Sequence, residues 1–266
     1  MDLELNNKTA VVTGGASNIG KAIAEGFAAE GANVVVVDVD RKQAERVVDE
    51  LDKMGSGDAI FIEADVCDAQ QIEQMASQSL QRFGQIDILV NNAGWTANDL
   101  FLNKPTSDFE REIAINLWGP INCIRSIAPS MIERSYGKII TIGSDAGRVG
   151  EYNEAVYSAC KAGVVALSKA LAREFGKHNL NVNVVSTGLT LPENPDDAGT
   201  MSLWHKDSHQ SQIFQNHEVL AKVVRRYPLR RHGVAKDIVP LVLLLASDKS
   251  SYTTGQLVSV SGGYAM

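Results

Sequence analysis

The chain has 266 residues, with 32 acidic against 25 basic side chains and a formal net charge of −7, which argues against nucleic-acid binding by bulk charge. Hydrophobic residues make up 44% of the chain, ample for one buried core, and the three cysteines (Cys67, Cys123, Cys160) have no paired spacing, as expected of reduced thiols in a cytoplasm. The acidic start Met-Asp-Leu-Glu lacks the apolar core of a signal peptide, and the longest apolar run, Ile238 to Ala246, is far short of a membrane span and contains Pro240.

Lys8 to Thr13 reads as a first strand, and Gly14-Gly-Ala-Ser-Asn-Ile-Gly20 follows it. Ile19, Ile23 and Phe27 recur at helical spacing until Gly31 ends the helix. A second apolar run, Val34 to Val37, closes on Asp38. This is a βαβ unit with a glycine-rich first turn, in which backbone approaches a pyrophosphate and a helix N-terminus offers free N–H groups. Asp38 lies eighteen residues beyond Gly20, where a carboxylate accepts hydrogen bonds from an adenosine ribose and repels a 2′-phosphate. Val39 adds no cation, so the expected cofactor is NAD rather than NADP. The alternative reading of the same residues is a tight turn and a capped strand end without a ligand.

Asp40 can cap a helix over 41–53, and 59–64 reads as the third strand, ending on Asp65-Val66. A helix over 69–83, a strand over 87–91, a long helix over 107–134 and a strand over 138–143 follow. A helix over 154–177, a strand over 181–186, an irregular stretch over 191–227, a helix over 235–246 and a strand over 257–261 complete the chain. Val/Ile-rich strands separated by helices imply an α/β fold: one domain over 1–266 with a doubly wound, parallel, seven-stranded sheet covered on both faces.

Two features of this pattern carry chemistry. Tyr157 and Lys161 are four apart on one helix face, thirteen residues after Ser144 at the end of an apolar run. A phenol with an ordinary pKa of about 10 is a poor base at neutral pH, and an ammonium beside it would favour the phenolate. Pro120 follows Asn116 by four residues in a helical pattern, so the Asn116 carbonyl has no i+4 N–H partner. That carbonyl must find another donor, such as water, or else mark a simple kink.

Taken together, these motifs resemble the short-chain dehydrogenase/reductase family over essentially the whole chain. Thr13-Gly14-Gly15-Ala16-Ser17-Asn18-Ile19-Gly20 is similar to its glycine motif, Asn91-Asn92-Ala93-Gly94 to its N-N-A-G, and Ser144, Tyr157 and Lys161 to its catalytic trio, with Asn116 as its catalytic asparagine. Thr254-Gly255-Gln256 and Ser261-Gly262-Gly263 match the C-terminal signature. Asn18 departs from the usual middle glycine, although asparagine tolerates positive φ, and Thr187-Gly188 departs from the usual Pro-Gly.

The resemblance implies a Rossmann fold and reversible hydride transfer between a secondary alcohol and NAD. Tyr157 would exchange the hydroxyl proton, Lys161 would lower its pKa and hold the nicotinamide ribose, Ser144 would orient the substrate oxygen, and Asn116 would anchor a proton-relay water. Gly14, Ser17, Asn18, Ile19, Gly20, Asp38, Asp65, Val66, Asn92, Gly94, Tyr157, Lys161, Gly188 and Thr190 would bind the cofactor. A homotetramer pairing the helices at 107–134 and 154–177 is implied, with Ile124, Ile127, Val164, Val165 and Leu171 compatible with that contact or with core packing.

The substrate is read from three weaker signals. Within the family, 91–95, 144–150 and 154–161 resemble 2-hydroxycyclohexanecarboxyl-CoA dehydrogenase-like members, implying a cyclic or branched β-hydroxyacyl-CoA and adding Asp145 and Arg148 to Ser144 and Tyr157 as substrate contacts. Residues 191–227 are expected to form a lid, where Lys206, Lys222, Arg225 and Arg226, with Arg230 and Arg231 beyond, could attract CoA phosphates or simply be solvated. His205 and His209 are four apart but lack a convincing third ligand, so no metal is expected, and Trp95 or Trp204 could line an apolar pocket. The alternatives are a sugar or cyclic-polyol dehydrogenase, a 3-oxoacyl-carrier-protein reductase, which would need NADPH, and a non-catalytic scaffold, which would be expected to lack one of the trio.

Overall fold

In the structure, a computed structural model describing residues 2–54 and 57–266, the chain forms one seven-stranded parallel sheet in the order β3-β2-β1-β4-β5-β6-β7. The strands are β1 (Thr9–Thr13), β2 (Asn33–Asp38), β3 (Ala59–Glu63), β4 (Ile88–Asn91), β5 (Gly137–Ser144), β6 (Leu180–Thr187) and β7 (Leu257–Val260). The helices are α1 (Asn18–Ala29), α2 (Arg41–Leu51), α3 (Ala69–Phe83), α4 (Thr106–Ile113), α5 (Gly119–Glu133), α6 (Ala146–Val149), α7 (Ala155–Phe175), α8 (His209–Gln215), α9 (His217–Val224) and α10 (Ala235–Ala246). This is the expected doubly wound Rossmann-type sheet.

Period-two alternation explains how uninterrupted apolar strands serve two cores. Val34 and Val36 join Ala10, Val12, Ile88 and Val90 beneath Ile23, Phe27 and Val242 of α1 and α10. Val35 and Val37 join Val11, Leu89 and Ile139 beneath Met75, Ile127 and Met131 of α3 and α5. Strand order reverses between β1 and β4, and ligands in such sheets bind at the carboxyl ends beside that reversal.

The long helix expected over 107–134 is interrupted. α4 and α5 are separated by a π turn over Ala114–Trp118, in which the Gly119 N–H reaches back to the Ala114 carbonyl. Pro120 supplies no N–H to the preceding turn, and the wider turn accommodates that loss next to Asn116. α7 with its extension to His178 is long and apolar enough to cross a membrane by length and composition alone, yet it packs against β5 and β6. Of the residues considered for subunit contacts, Ile124, Ile127 and Val164 are buried in this chain's own core, and Leu171 packs against it. Val165 is half-buried.

The loop after β4 is fixed to α4 by an ion pair with almost no solvent contact. Lys104 Nζ donates to Glu112 Oε1 at 2.8 Å, with side-chain exposures of 1% and 0%. The same oxygen accepts the Thr96 hydroxyl at 3.0 Å and the Ala97 N–H at 3.1 Å. Removing one member of such a pair leaves a buried charge uncompensated, so Lys104→Met is expected to destabilise the protein by about 3–5 kcal/mol in urea unfolding.

Candidate active site

A cavity of about 620 Å³ opens at the carboxyl ends of β1, β2, β4, β5 and β6, within the range of sites for cofactors and small substrates. Its floor begins at the glycine turn. Gly14 sits at φ +61° and Asn18 at φ +43°, the conformation expected of this asparagine. A Cβ on Gly20 would lie 2.0 Å from the Gly14 carbonyl oxygen, so Gly20 closes the turn from behind and does not line the cavity, correcting its expected role as a contact residue. The Asn92 side chain locks the turn to β4, donating to the carbonyls of Thr13 and Gly14 at 3.0 Å each. Thr13 Oγ1 accepts the N–H groups of Asn92 and Ala93 in return.

Gly14, Ser17, Asn18, Ile19, Asp38, Asp65, Val66, Asn92, Gly94, Gly188 and Thr190 all line the cavity. Among the described residues no acceptor faces the backbone N–H of Asn18 or Ile19, and the buried Asn18 Oδ1 has no partner. Free N–H groups at the start of a twelve-residue helix suit a pyrophosphate. Asp38 accepts the N–H of Ala16 at 3.0 Å, of Val39 at 2.8 Å and of Asp40 at 3.1 Å. Burial pushes its pKa up, and those three N–H groups pull against that shift. These residues fit a dinucleotide.

The segment after β6 crosses this end of the cavity. Ser17 Oγ accepts the Gly199 N–H at 2.9 Å, Asp40 accepts both the N–H and the hydroxyl of Thr200, and Lys21 pairs with Asp197 at 2.6 Å. Helices α8 and α9 then fold over the other end, where Trp204 and Phe214 pack at 5.9 Å between ring centroids.

At that end Ser144, Tyr157 and Lys161 share one wall. Ser144 terminates β5, and its hydroxyl oxygen accepts the Ala146 N–H at 3.2 Å. Lys161 Nζ is 5.5 Å from the Tyr157 ring centre and donates to the Ile142 carbonyl at 3.1 Å. Asn116 is fully buried and does not line the cavity. Its amide donates to the carbonyls of Trp95 and Glu112, while Oδ1 accepts the Trp95 N–H, so it positions the loop behind Gly94.

The protonation balance differs from the one expected from the Tyr-x-x-x-Lys spacing. Burial raises the Tyr157 pKa, and the Glu154 carboxylate raises it further, against the Ser144 hydroxyl. Burial also pulls Lys161 down to about 8. Glu154, at the N-cap of α7, is pushed up to about 7 by burial and then by Glu151 and Glu112. Desolvation is the largest influence on both Tyr157 and Lys161.

Of the two residues added from the substrate resemblance, Asp145 lines the cavity and Arg148 does not. The Asp145 carboxylate is buried and accepts the hydroxyls of Ser186 at 2.6 Å and Ser259 at 2.7 Å, tying β5 to β6 and β7. Arg148 lies outside the cavity wall and donates to the Ala265 carbonyl at 2.5 Å. Of the six basic residues between 206 and 231, only Arg226 lines the cavity among the described residues, and it pairs with Glu151 at 3.4 Å. Arg231 pairs with Asp237. The sequence reading missed Glu151, Glu154, Tyr227 and Tyr264, all in the wall. No motif marks them, because they converge from three distant segments.

Residues 14–265 match the family model described as "Enoyl-(Acyl carrier protein) reductase". The chain is 36% identical over 260 residues to the 3-oxoacyl-(acyl-carrier-protein) reductase FabG of Staphylococcus aureus, covering 97% of this chain and 98% of the relative. It is 35% identical over 263 residues to the uncharacterized short-chain type dehydrogenase/reductase y4mP of Sinorhizobium fredii, covering 97% and 98%. A crystal structure of a candidate NAD(P)-dependent gluconate 5-dehydrogenase from Beutenbergia cavernae, with NADP bound at low occupancy, superposes with a TM-score of 0.87 at 30% identity, covering 99% of each chain. The chain belongs to the short-chain dehydrogenase/reductase family, and is a nicotinamide-dependent oxidoreductase acting on CH–OH groups.

Proposed function

We propose that this chain oxidises a secondary alcohol to a ketone, reversibly and with NAD, using Tyr157 as the proton-transfer group. The observation that carries the reading is that Ser144, Tyr157 and Lys161 line the same cavity as the free N–H groups of α1 and the Asp38 carboxylate. Asp38 would accept the adenosine ribose hydroxyls and repel a 2′-phosphate. Asn18, Ile19 and Ser17 would hold the pyrophosphate, Asp65 and Val66 the adenine, and Gly94, Gly188 and Thr190 the nicotinamide end. Hydride acceptance, and a positive charge when oxidised, are what the bound cofactor supplies.

In oxidation the Tyr157 phenolate takes the substrate hydroxyl proton, and Ser144 holds the substrate oxygen beside it. Lys161 keeps N–H donors for a ribose beyond the one given to Ile142. Asn116 fixes the loop that carries Gly94, and its carbonyl, to which Pro120 offers no i+4 N–H, would be the place for a relay water. Because burial favours the neutral phenol, the phenolate forms only on the alkaline side in the chain's own field.

For the substrate, Met201, Leu203, Trp204, Phe214 and Val223 suit a compact cyclic or branched apolar group under a lid formed by 191–227. A β-hydroxyacyl-CoA would place that group inside and its phosphates outside, on Lys206, Lys222 and Arg225. A second reading, a polyol or sugar-acid dehydrogenase, is favoured by the carboxylates of Glu151 and Glu154 in the same wall, which can accept hydroxyl hydrogen bonds. In assembly the protein is read as a homotetramer, with Ile113 and Trp118 among the exposed side chains beside α7 available to a partner subunit.

Four outcomes test this reading. With NAD and an absorbance readout of NADH, cyclic hydroxyacyl-CoA thioesters should turn over faster than their free alcohols, and a preference for polyols would select the second reading. Asp38→Ser should lower the NAD-over-NADP ratio of kcat/KM by at least about tenfold, and an unchanged ratio would overturn the ribose assignment. Tyr157→Phe should cost at least about 100-fold in kcat. The wild-type oxidation rate should rise with pH on its alkaline limb. Glu154 ionises as pH passes about 7 and then opposes the phenolate, so Glu154→Gln should move that limb to lower pH.

A further inference from the structure

Near its end the chain returns to the cavity at Tyr264. Gly262 and Gly263 have φ of +60° and +86°, and the Tyr264 N–H closes the turn onto the Ser261 carbonyl at 3.2 Å. A Cβ on Gly263 would lie 2.7 Å from Pro228 Cγ, so the reversal needs a residue without one. Beyond the turn, Arg148 holds the Ala265 carbonyl, and Ala265 is buried. Tyr264 is thereby delivered to the cavity wall.

There it joins three segments far apart in sequence. Its hydroxyl donates to Glu151, on the loop before α7, and accepts from Arg226 Nη2, beyond α9, at 2.5 Å. Arg226 Nη1 reaches the other Glu151 oxygen at 3.4 Å. The Tyr264 ring stacks on Tyr227 at 4.9 Å with 23° between planes. The Tyr227 hydroxyl in turn accepts the Leu189 N–H at 2.9 Å, beside Gly188 on the loop that follows β6. A phenol is suited to this place because it can donate to a carboxylate and accept from a guanidinium at once. Burial, and then Glu151, raise its pKa, so it keeps its proton through the neutral range.

We propose that Tyr264 is a positioning and specificity residue: through Glu151, Arg226 and Tyr227 it latches the end of α9 over the substrate cavity and sets where the outer wall stands. The inference rests on the secondary-alcohol reading above for its substrate effect, and on the contacts alone for the latch. It also explains the fate of Arg226, whose charge is engaged by Glu151 and is not free to anchor an anionic substrate.

Tyr264→Phe in the full-length protein keeps the stacked ring and removes both hydroxyl contacts. It should raise KM for the best secondary alcohol about tenfold with kcat within about twofold, since a bond to a charged partner is lost while the trio is untouched. NADH binding, followed by fluorescence, should stay within about twofold, and trypsin cleavage after Lys222 and Arg225 should quicken several-fold. Tyr264→Ala should in addition shift kcat/KM toward bulkier alcohols. An unchanged KM together with unchanged cleavage overturns the proposal, and so does a fall in kcat or NADH affinity equal to the change in KM. If the wild-type protein oxidises no secondary alcohol, the functional reading fails on its own. The trypsin comparison then still decides the latch, which identical cleavage rates would refute.

Discussion

The site depends first on the lock between the glycine turn and β4. One amide, Asn92, donates to two carbonyls of the turn while Thr13 returns a hydroxyl to the N–H groups of Asn92 and Ala93. These bonds satisfy backbone groups that the diverging chains on either side of β1 would otherwise leave unpaired. They also fix the start of α1, whose free N–H groups point into the cavity, relative to the loop that carries Gly94. Gly20 matters for the same reason, since it permits the turn to close rather than touching a ligand.

The second constraint is dielectric. Tyr157 and Lys161 are held in a buried wall where each is pushed toward its neutral form, phenol and amine. Proximity of unlike groups along a helix is therefore insufficient to predict which way a pKa moves. The cost of taking both out of water is the larger effect, and a half-buried glutamate one turn before the tyrosine adds to it. A phenol arranged in this way responds to any further positive charge entering the cavity.

The third is closure. The segment after β6 is fastened to α1 and α2 at one end, through Ser17, Asp40 and Lys21, and to the C-terminal residues at the other, through Arg226 and Tyr264. Between these fastenings lie the aromatic and aliphatic side chains of the substrate end. Asp145 and Arg148, one and four residues after Ser144 in sequence, serve this closure by holding β7 and the tail.

The strands, their order of appearance and the dinucleotide turn were legible in the sequence because each is a local pattern. Uninterrupted Val/Ile runs, Gly14 to Gly20 and Asp38 have meaning within one βαβ unit. The trio was legible because its spacing on a strand end and one helix brings it together by local geometry. The π turn at Ala114–Trp118 was only half legible: Pro120 announced a missing donor, but the widened turn that accommodates it is set by packing around Gly119 and Asn116. Glu151, Tyr227 and Tyr264 carried no signal at all, and Arg226 was marked only by its charge, since their meeting depends on where α9 and the tail come to rest. The sequence by itself determined the fold and marked the residues of the proposed cofactor cradle and of the proposed reactive groups. Tertiary structure alone decided the protonation balance and the substrate wall, because burial and long-range contact are properties of the packed chain and not of any segment of it.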